Sequence, residues 1–226
     1  MAPMTSNRVV LLSLAGLVLS AAVLAIWPEL DLATSAYFYE GGHHFAAITP
    51  LGQFGRMVGY TVPFVLLIGA TALWAARRFG FNVPFAPTGR SVAFLILSMV
   101  LVPGLVVNVG LKDHAHRPRP AQSTAFDGPY PFRPWYKFDG ECKKNCSFVS
   151  GEASSAFWTL APASLAPMPF KPYAIGAALI FSIFTSALRI AFGGHYLSDV
   201  LLATFLTIFL IEALRRWIFG ANGSSG

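Results

Sequence analysis

Three short polar clusters interrupt an otherwise apolar chain. In Arg189–Asp199, RIAFGGHYLSD, His195 and Asp199 stand four residues apart. That spacing shares one helix face if a helix begins there. A carboxylate on one imidazole nitrogen fixes the tautomer and frees the other nitrogen as base or nucleophile. Arg189 precedes the pair, and Gly193–Gly194 reads as a tight corner. A plain helix-capping His–Asp pair is the alternative. In Lys112–Pro120, KDHAHRPRP, Lys112 and Arg119 are donors without acceptors, held apart by a proline-stiffened chain. Such a pair suits a phosphate, although a snorkelling basic cap on a helix end has the same composition. Arg117 can be a bystander even where Arg119 binds. In Cys146–Ser155, CSFVSGEASS, Ser150 and Gly151 at a helix start offer a hydroxyl and N–H groups to an anion. Ser150 and Glu152 would serve equally well as capping residues.

Taken together, these are the parts of a phosphoryl-transfer site that needs no metal. Lys112, Arg119 and Arg189 stabilise charge on the equatorial oxygens, a nucleophile attacks in line, and an acid protonates the leaving oxygen.

The elements that must position these clusters are membrane helices. Of 226 residues, 55% are hydrophobic and only 12% charged. The mean hydropathy is +0.59. Disorder and an ordinary cytosolic globule are excluded, and continuously apolar runs exclude a β-barrel. A span needs roughly 20 apolar residues. Six candidates lie near Val9–Trp27, Val58–Ala76, Ser91–Leu111, Ala153–Pro167, Tyr173–Leu188 and Leu197–Leu214. The fourth is short, with a hydroxyl-rich start. No small-x-small cleavage site follows the first span before Pro28, so it reads as a retained helix and not a signal peptide. The expectation is one all-α domain over residues 1–222, and Gly223–Gly226 reads as an appended linker.

Six spans place both termini on one side. With the N-terminus inside, that face carries Arg8, Arg77, Arg78, Arg90, Lys171, Arg215 and Arg216 against one acid, Glu212. This is the positive-inside pattern, so the formal charge of +6 is no nucleic-acid footprint. All three polar clusters then fall at the outer end. Pro28–Arg56 and Lys112–Ser147 become the long outer loops.

The spaced residues resemble the type-2 phosphatidic acid phosphatase family. Its pattern is Lys, six residues, Arg-Pro; Ser-Gly-His; then Arg, five residues, His, three residues, Asp. Lys112 to Arg119–Pro120 and Arg189–His195–Asp199 keep the first and third spacings, and the second motif reads Ser150–Gly151–Glu152. The resemblance implies six membrane helices with the site at the periplasmic face of a bacterial inner membrane and both termini cytoplasmic. It also implies His195 as nucleophile through a phosphohistidine, Asp199 orienting it, and phosphate held by Lys112, Arg119, Arg189, Ser150 and Gly151. No metal or other cofactor, no nucleic acid and no obligate protein partner is implied. The substrate would be a lipid phosphate taken from the bilayer.

One position departs from the family. Its second-motif His, the general acid, is Glu152 here. Glu152 acts as the acid if protonated, or contacts a sugar or amine on the substrate. His114 or His116 would otherwise supply the proton, and an inactive relative is a further reading. The Ser-Gly-Glu motif and a basic, aromatic loop favour a highly anionic substrate, lipid A phosphate ahead of phosphatidylglycerol phosphate, phosphatidate and undecaprenyl diphosphate. A phosphotransferase using the same intermediate is the rival within enzymes. A lipid-phosphate transporter is the rival outside them, but would put its charges at the midplane.

Smaller signals remain. In an oxidising compartment Cys142 and Cys146 favour a disulfide over two free thiols, pinning the loop that delivers Ser150. Asp113, His114 and His116 read as polar lining more than a metal site. His43–His44 reads as surface. Tyr130–Phe138, interleaved with Arg133 and Lys137, reads either as an interfacial aromatic belt or as a lid for an anionic headgroup.

Overall fold

The structure, a computed structural model, describes residues 6–112 and 114–220. Asp113 and the expected linker Gly223–Gly226 lie outside the described residues. The described chain is mostly helical, with a two-stranded hairpin, β1 (Tyr39–Gly41) and β2 (His44–Phe45), and a long loop between Lys112 and Gly151 that holds only two short 3-10 turns. Five helical segments are long and apolar enough to cross a membrane: Asn7–Ile26, Pro50–Arg78, Gly89–Lys112, Lys171–Ala191 and Leu197–Phe219. The first belongs to α1 (Ser6–Ile26) and the second is α3 (Pro50–Arg78). The third joins α4 (Gly89–Met99) to a π-helical stretch, Val100–Lys112. The last two are α7 (Lys171–Ala191) and α8 (Leu197–Phe219). A short helix, α2 (Glu29–Ala36), follows α1.

The segment expected as the fourth span is two short helices, α5 (Gly151–Trp158) and α6 (Leu160–Ser164). The break at Thr159 has local causes. Pro162 lies inside α6 and has no N–H to give, and the Thr159 hydroxyl bonds back to the Ala156 carbonyl at 2.7 Å. Both short helices are largely buried, locked by Trp158 Nε1 donating to Ser98 Oγ at 2.8 Å and by Ser154 and Thr207 hydroxyls 2.7 Å apart. α3 also begins earlier than its hydropathy suggests. Thr49 caps it by accepting from the Gly52 N–H at 3.0 Å, and Pro50 sits at its first position. Arg56 is therefore on a helix and not in the outer loop.

Small residues set the packing. A Cβ on Gly16 of α1 would lie 2.4 Å from the Phe205 ring of α8, so α1 can lie against α8 only with glycine there. On α3, Gly55 and Gly59 face α7: a Cβ at Gly59 would be 2.9 Å from Thr185 and one at Gly55 3.2 Å from Leu188. Apolar clusters fill the interior around Phe94, Trp158 and Ile211 in one half and around Val107, Ala153 and Ala203 in the other. The outward faces carry exposed Leu11, Leu19, Val65, Ile68, Ile180 and Phe184, as lipid-facing helices require.

The chain direction sorts the polar residues by end. The π-helical stretch ends at Lys112, α7 ends beyond Arg189, and α3, α5 and α8 begin near Arg56, Ser150 and Asp199. All of these meet at one end. The opposite end gathers Arg77 and Arg78 closing α3, Arg90 opening α4, Lys171 opening α7, and Arg215 and Arg216 near the end of α8. There Arg90 donates to the Ile218 carbonyl, and Lys171 feels the charges of Arg215 and Glu212.

Candidate active site

His195 sits in the corner between α7 and α8, 1% exposed. Gly193 makes that corner with φ of +63°, and a Cβ there would lie 2.6 Å from the Phe45 ring. The imidazole Nδ1 is 2.7 Å from the Ser147 carbonyl oxygen and 3.8 Å from Asp199 Oδ2. A carbonyl only accepts, so Nδ1 carries the proton and donates, and Nε2 is left with its lone pair and no hydrogen-bond partner among the described residues. Asp199 therefore reaches the imidazole mainly through Ser147. The Ser147 hydroxyl donates to Asp199 Oδ2 at 2.5 Å, and the Tyr196 N–H donates to the same oxygen at 2.8 Å. Ser147 is fixed a third way, its N–H donating to the Arg117 carbonyl at 2.8 Å. Burial, with Arg189 and Arg119 adding to it, pushes the His195 imidazole down to about 4 against the pull of Asp199.

Behind this pair lies a buried ion network. Arg117, fully buried, donates to Asp199 Oδ1 at 2.6 Å, to Asp31 Oδ2 at 2.7 Å and to the Arg133 carbonyl at 2.8 Å. Its guanidinium also stacks on the Tyr196 ring, 4.3 Å from the centroid. Asp31, from α2, accepts from both the N–H and the hydroxyl of Ser198, at 2.8 and 2.6 Å. Arg117 is thus the supporting cation of the first motif.

In front of His195 lies the cation cluster. The charges of Lys112, Arg119 and Arg189 all act on one another or on Glu152. Arg119 is steadied by donating from Nε to the Asn145 carbonyl at 3.1 Å. Arg189 is 2% exposed, and its Nε, 3.3 Å from Glu152 Oε2, makes no hydrogen bond, so donor capacity remains for an anion. Gly194 passes so close that a Cβ there would lie 2.3 Å from Arg189 Nη2.

Ser150 caps α5, its hydroxyl oxygen accepting from the Ala153 N–H at 3.2 Å while its own N–H donates to the Asp199 carbonyl at 3.1 Å. Its hydroxyl proton and the unpaired Gly151 N–H remain for a ligand at the helix N-terminus. Gly151 is needed because a Cβ there would lie 2.5 Å from Asn108 Oδ1.

Glu152 lies ahead of the expected fourth span, on the first turn of α5. Arg56 donates to it from Nη2 at 3.0 Å and from Nε at 3.3 Å. Burial pushes its carboxyl up, but Arg189 and Arg56 outweigh burial and hold it below the usual carboxylate range. His114 and His116 each rest Nδ1 on a backbone carbonyl, Gly110 and Cys142 respectively, at 3.0 Å. Cys142 and Cys146 are joined by a disulfide, one residue before Ser147.

In the aromatic loop, Trp135 stacks on Phe148 and Phe132 packs edge-on against Tyr196, so these two cover the site. Tyr136 and Phe138 point outward. Among the described residues no group of three or more His, Cys, Asp or Glu gathers as a metal site would need.

The site residues read from sequence thus meet at one end, and the structure adds Arg56, Asp31, Arg117, Ser147 and Ser198. Comparison with known proteins places the chain among relatives. A lipid A 4'-phosphatase of Rhizobium leguminosarum is 43% identical over 213 residues, covering 85% of this chain and 89% of the relative. One from Francisella tularensis subsp. novicida is 30% identical over 184 residues, 77% and 80% of the two chains. One from Rhizobium etli is 40% identical over 129 residues, spanning 57% of this chain and half of that relative. No solved structure matches. The PAP2 superfamily model matches residues 91–222, which hold every motif residue from Lys112 to Asp199, and the chain belongs to that superfamily, the type-2 phosphatidic acid phosphatases.

Proposed function

We propose that this protein is a membrane lipid phosphatase that removes a phosphate monoester from lipid A. The observation that carries the chemistry is His195: its Nδ1 proton is committed to the Ser147 carbonyl, which leaves the Nε2 lone pair free, and the charges of Arg189 and Arg119 reach the ring. Nε2 attacks phosphorus in line, the P–O bond to the lipid breaks, and a phosphohistidine forms. The three cations, the Ser150 hydroxyl and the Gly151 N–H hold the non-bridging oxygens as charge moves onto the leaving oxygen. Water then attacks the phosphohistidine and returns Nε2 free, releasing phosphate. Asp199 holds the ring through Ser147 and stabilises the positive charge that develops on it.

Glu152, engaged by two guanidiniums, is poorly suited to deliver a proton. His114 and His116 are the alternative donors; each holds its Nδ1 proton against a backbone carbonyl, so Nε2 delivers a proton to the leaving oxygen only when both ring nitrogens are protonated. The substrate is read from the relatives' names, joined to a cation-rich site at the membrane end. The orientation is read from charge: the end opposite the site collects Arg77, Arg78, Arg90, Lys171, Arg215 and Arg216, so it faces the cytoplasm and the site faces the periplasm. The α5–α6 pair leads from the site end toward the start of α7 at the other end, which supports reading it as a sixth crossing with both termini cytoplasmic.

The test is phosphate release by the purified protein in detergent, with chelator present. The panel is lipid A, phosphatidylglycerol phosphate, phosphatidate and undecaprenyl diphosphate, with His195→Ala as control. Release from lipid A that is lost in His195→Ala, with acid-labile phosphate trapped on the wild-type protein, is the expected result. Equal release from His195→Ala refutes the histidine nucleophile.

A further inference from the structure

Phosphate chemistry employs Lys112, Arg119, Arg189, Ser150, Gly151 and His195. It leaves the Arg56–Glu152 pair without a task. Both residues line an open cavity of about 350 Å³ together with Gln53, Met57 and Tyr60. Gln53, Arg56, Met57 and Tyr60 follow one another at helical spacing, so they form a single face of α3. Gly55 and Gly59 seat the neighbouring face of α3 tightly on α7, which brings this one up to the start of α5. Glu152 is the wall shared with the phosphate site, since Oε2 lies 3.3 Å from Arg189 while Oε1 accepts from Arg56 at 3.0 Å.

The cavity offers a carboxylate, a carboxamide, a guanidinium and a phenol beside a thioether and an aromatic ring. Donors and acceptors around an apolar patch match a ring that carries hydroxyls and an amide. A glycerol backbone has too few polar groups to use them. The volume is at the low end of the roughly 300–1,000 Å³ of small-molecule sites, enough for one sugar ring. Arg56 remains 42% exposed on its side chain, so it can turn toward a ligand without leaving Glu152.

We propose that this cavity is the subsite for the acylated amino-sugar unit that bears the phosphate, and that Glu152 is a specificity residue there. Glu152 accepts from a sugar hydroxyl or amide N–H while holding Arg56 and Arg189 in place. The inference rests on the glycolipid reading above and adds how such a substrate is told from a glycerol phospholipid.

The experiment compares kcat/KM on lipid A and on phosphatidate in the same detergent micelles, for the full-length protein and for Gln53→Ala and Tyr60→Ala. Both side chains lie on the outer face of α3, and phosphatidate hydrolysis reports folding in every variant. The expected result is a fall of tenfold or more in the lipid A to phosphatidate ratio, carried by a higher KM for lipid A. An equal loss on both substrates, or no loss on either, overturns the subsite and leaves the phosphatase reading standing. Wild-type protein that cleaves phosphatidate but not lipid A overturns the glycolipid reading, and the subsite with it.

Discussion

Replacing Arg117 by methionine removes one cation and strands two carboxylates. Asp31 and Asp199 are both fully buried, and Arg117 lies 2.7 and 2.6 Å from them. Breaking one buried pair by deleting a single member costs about 3–5 kcal/mol. With two carboxylates losing the same guanidinium, the upper part of that range applies, about 4–5 kcal/mol. For a chain of this size each kcal/mol moves Tm by roughly 2–4 °C, so the expected loss is about 8–20 °C. The deficit also depends on pH. Burial already pushes the Asp31 carboxyl up against Arg117, and without that cation it rises further. A folded carboxyl raised above its unfolded value of 3.8 keeps a proton that unfolding releases, so the variant gains relative stability as pH falls toward that value. Arg117→Met with Asp31→Asn removes one of the stranded charges and should recover about 2 kcal/mol. Thermal unfolding of detergent-solubilised protein measures all three. A Tm loss under about 3 °C, or a double variant less stable than the single one, would show that the network does not carry the energy assigned to it.

Three further outcomes are expected. His195 must be neutral to attack, and its imidazole is pushed down to about 4; kcat/KM should therefore hold from pH 7 to 5 as far as this group is concerned and fall below about pH 4, whereas an acid limb at 6.5 refutes the buried imidazole. Glu152→Gln keeps an acceptor but removes a charge that competes with phosphate for Arg189, so inorganic phosphate should inhibit about 5- to 10-fold more tightly, an effect of roughly 1–1.4 kcal/mol, with phosphoenzyme still forming; loss of the phosphoenzyme returns Glu152 to the acid role. Gly194→Ala forces the Arg189 guanidinium away from a Cβ that would lie 2.3 Å from Nη2, and kcat/KM should fall about 10- to 100-fold, as loss of a charged contact of roughly 1.5–3 kcal/mol requires; near-normal kinetics would place Arg189 outside phosphate binding.

Much of the site was legible because its chemistry is written as local spacing. Lys112 to Arg119 and Arg189–His195–Asp199 need only eight- and eleven-residue windows, and the turn and helix start of the latter follow from Gly193–Gly194 and Asp199. The supporting residues were not legible because their partners are far away along the chain. Arg56 meets Glu152 across 96 positions, and Arg117 meets Asp31 across 86. Arg56 looked like a loop cation because hydropathy marks the lipid-facing part of α3 and not its two polar first turns. Asp31 did leave a signal, an acid beside a span that no topology rule required. Ser147 left none, since what it gives His195 is a backbone carbonyl. In the fold, hydropathy located the long helices but could not see that Val100–Lys112 winds as a π-helix or that Thr159 and Pro162 divide the fourth apolar segment, because both are decided by hydrogen bonds and not by polarity.

The Asp31–Arg117–Asp199 network also orders events in time. Asp31 follows the first long helix out of the ribosome, Arg117 follows the third, and Asp199 belongs to the last. A nascent chain inserted as far as α7 already owns Lys112, Arg119, Ser150 and Arg189, yet it has neither His195 nor the carboxylate that steadies Ser147. Its Arg117 has only Asp31 to neutralise it. Arrival of α8 brings His195, the proposed nucleophile, and the missing counter-ion in one step, so the proposed site is whole only once that helix has packed.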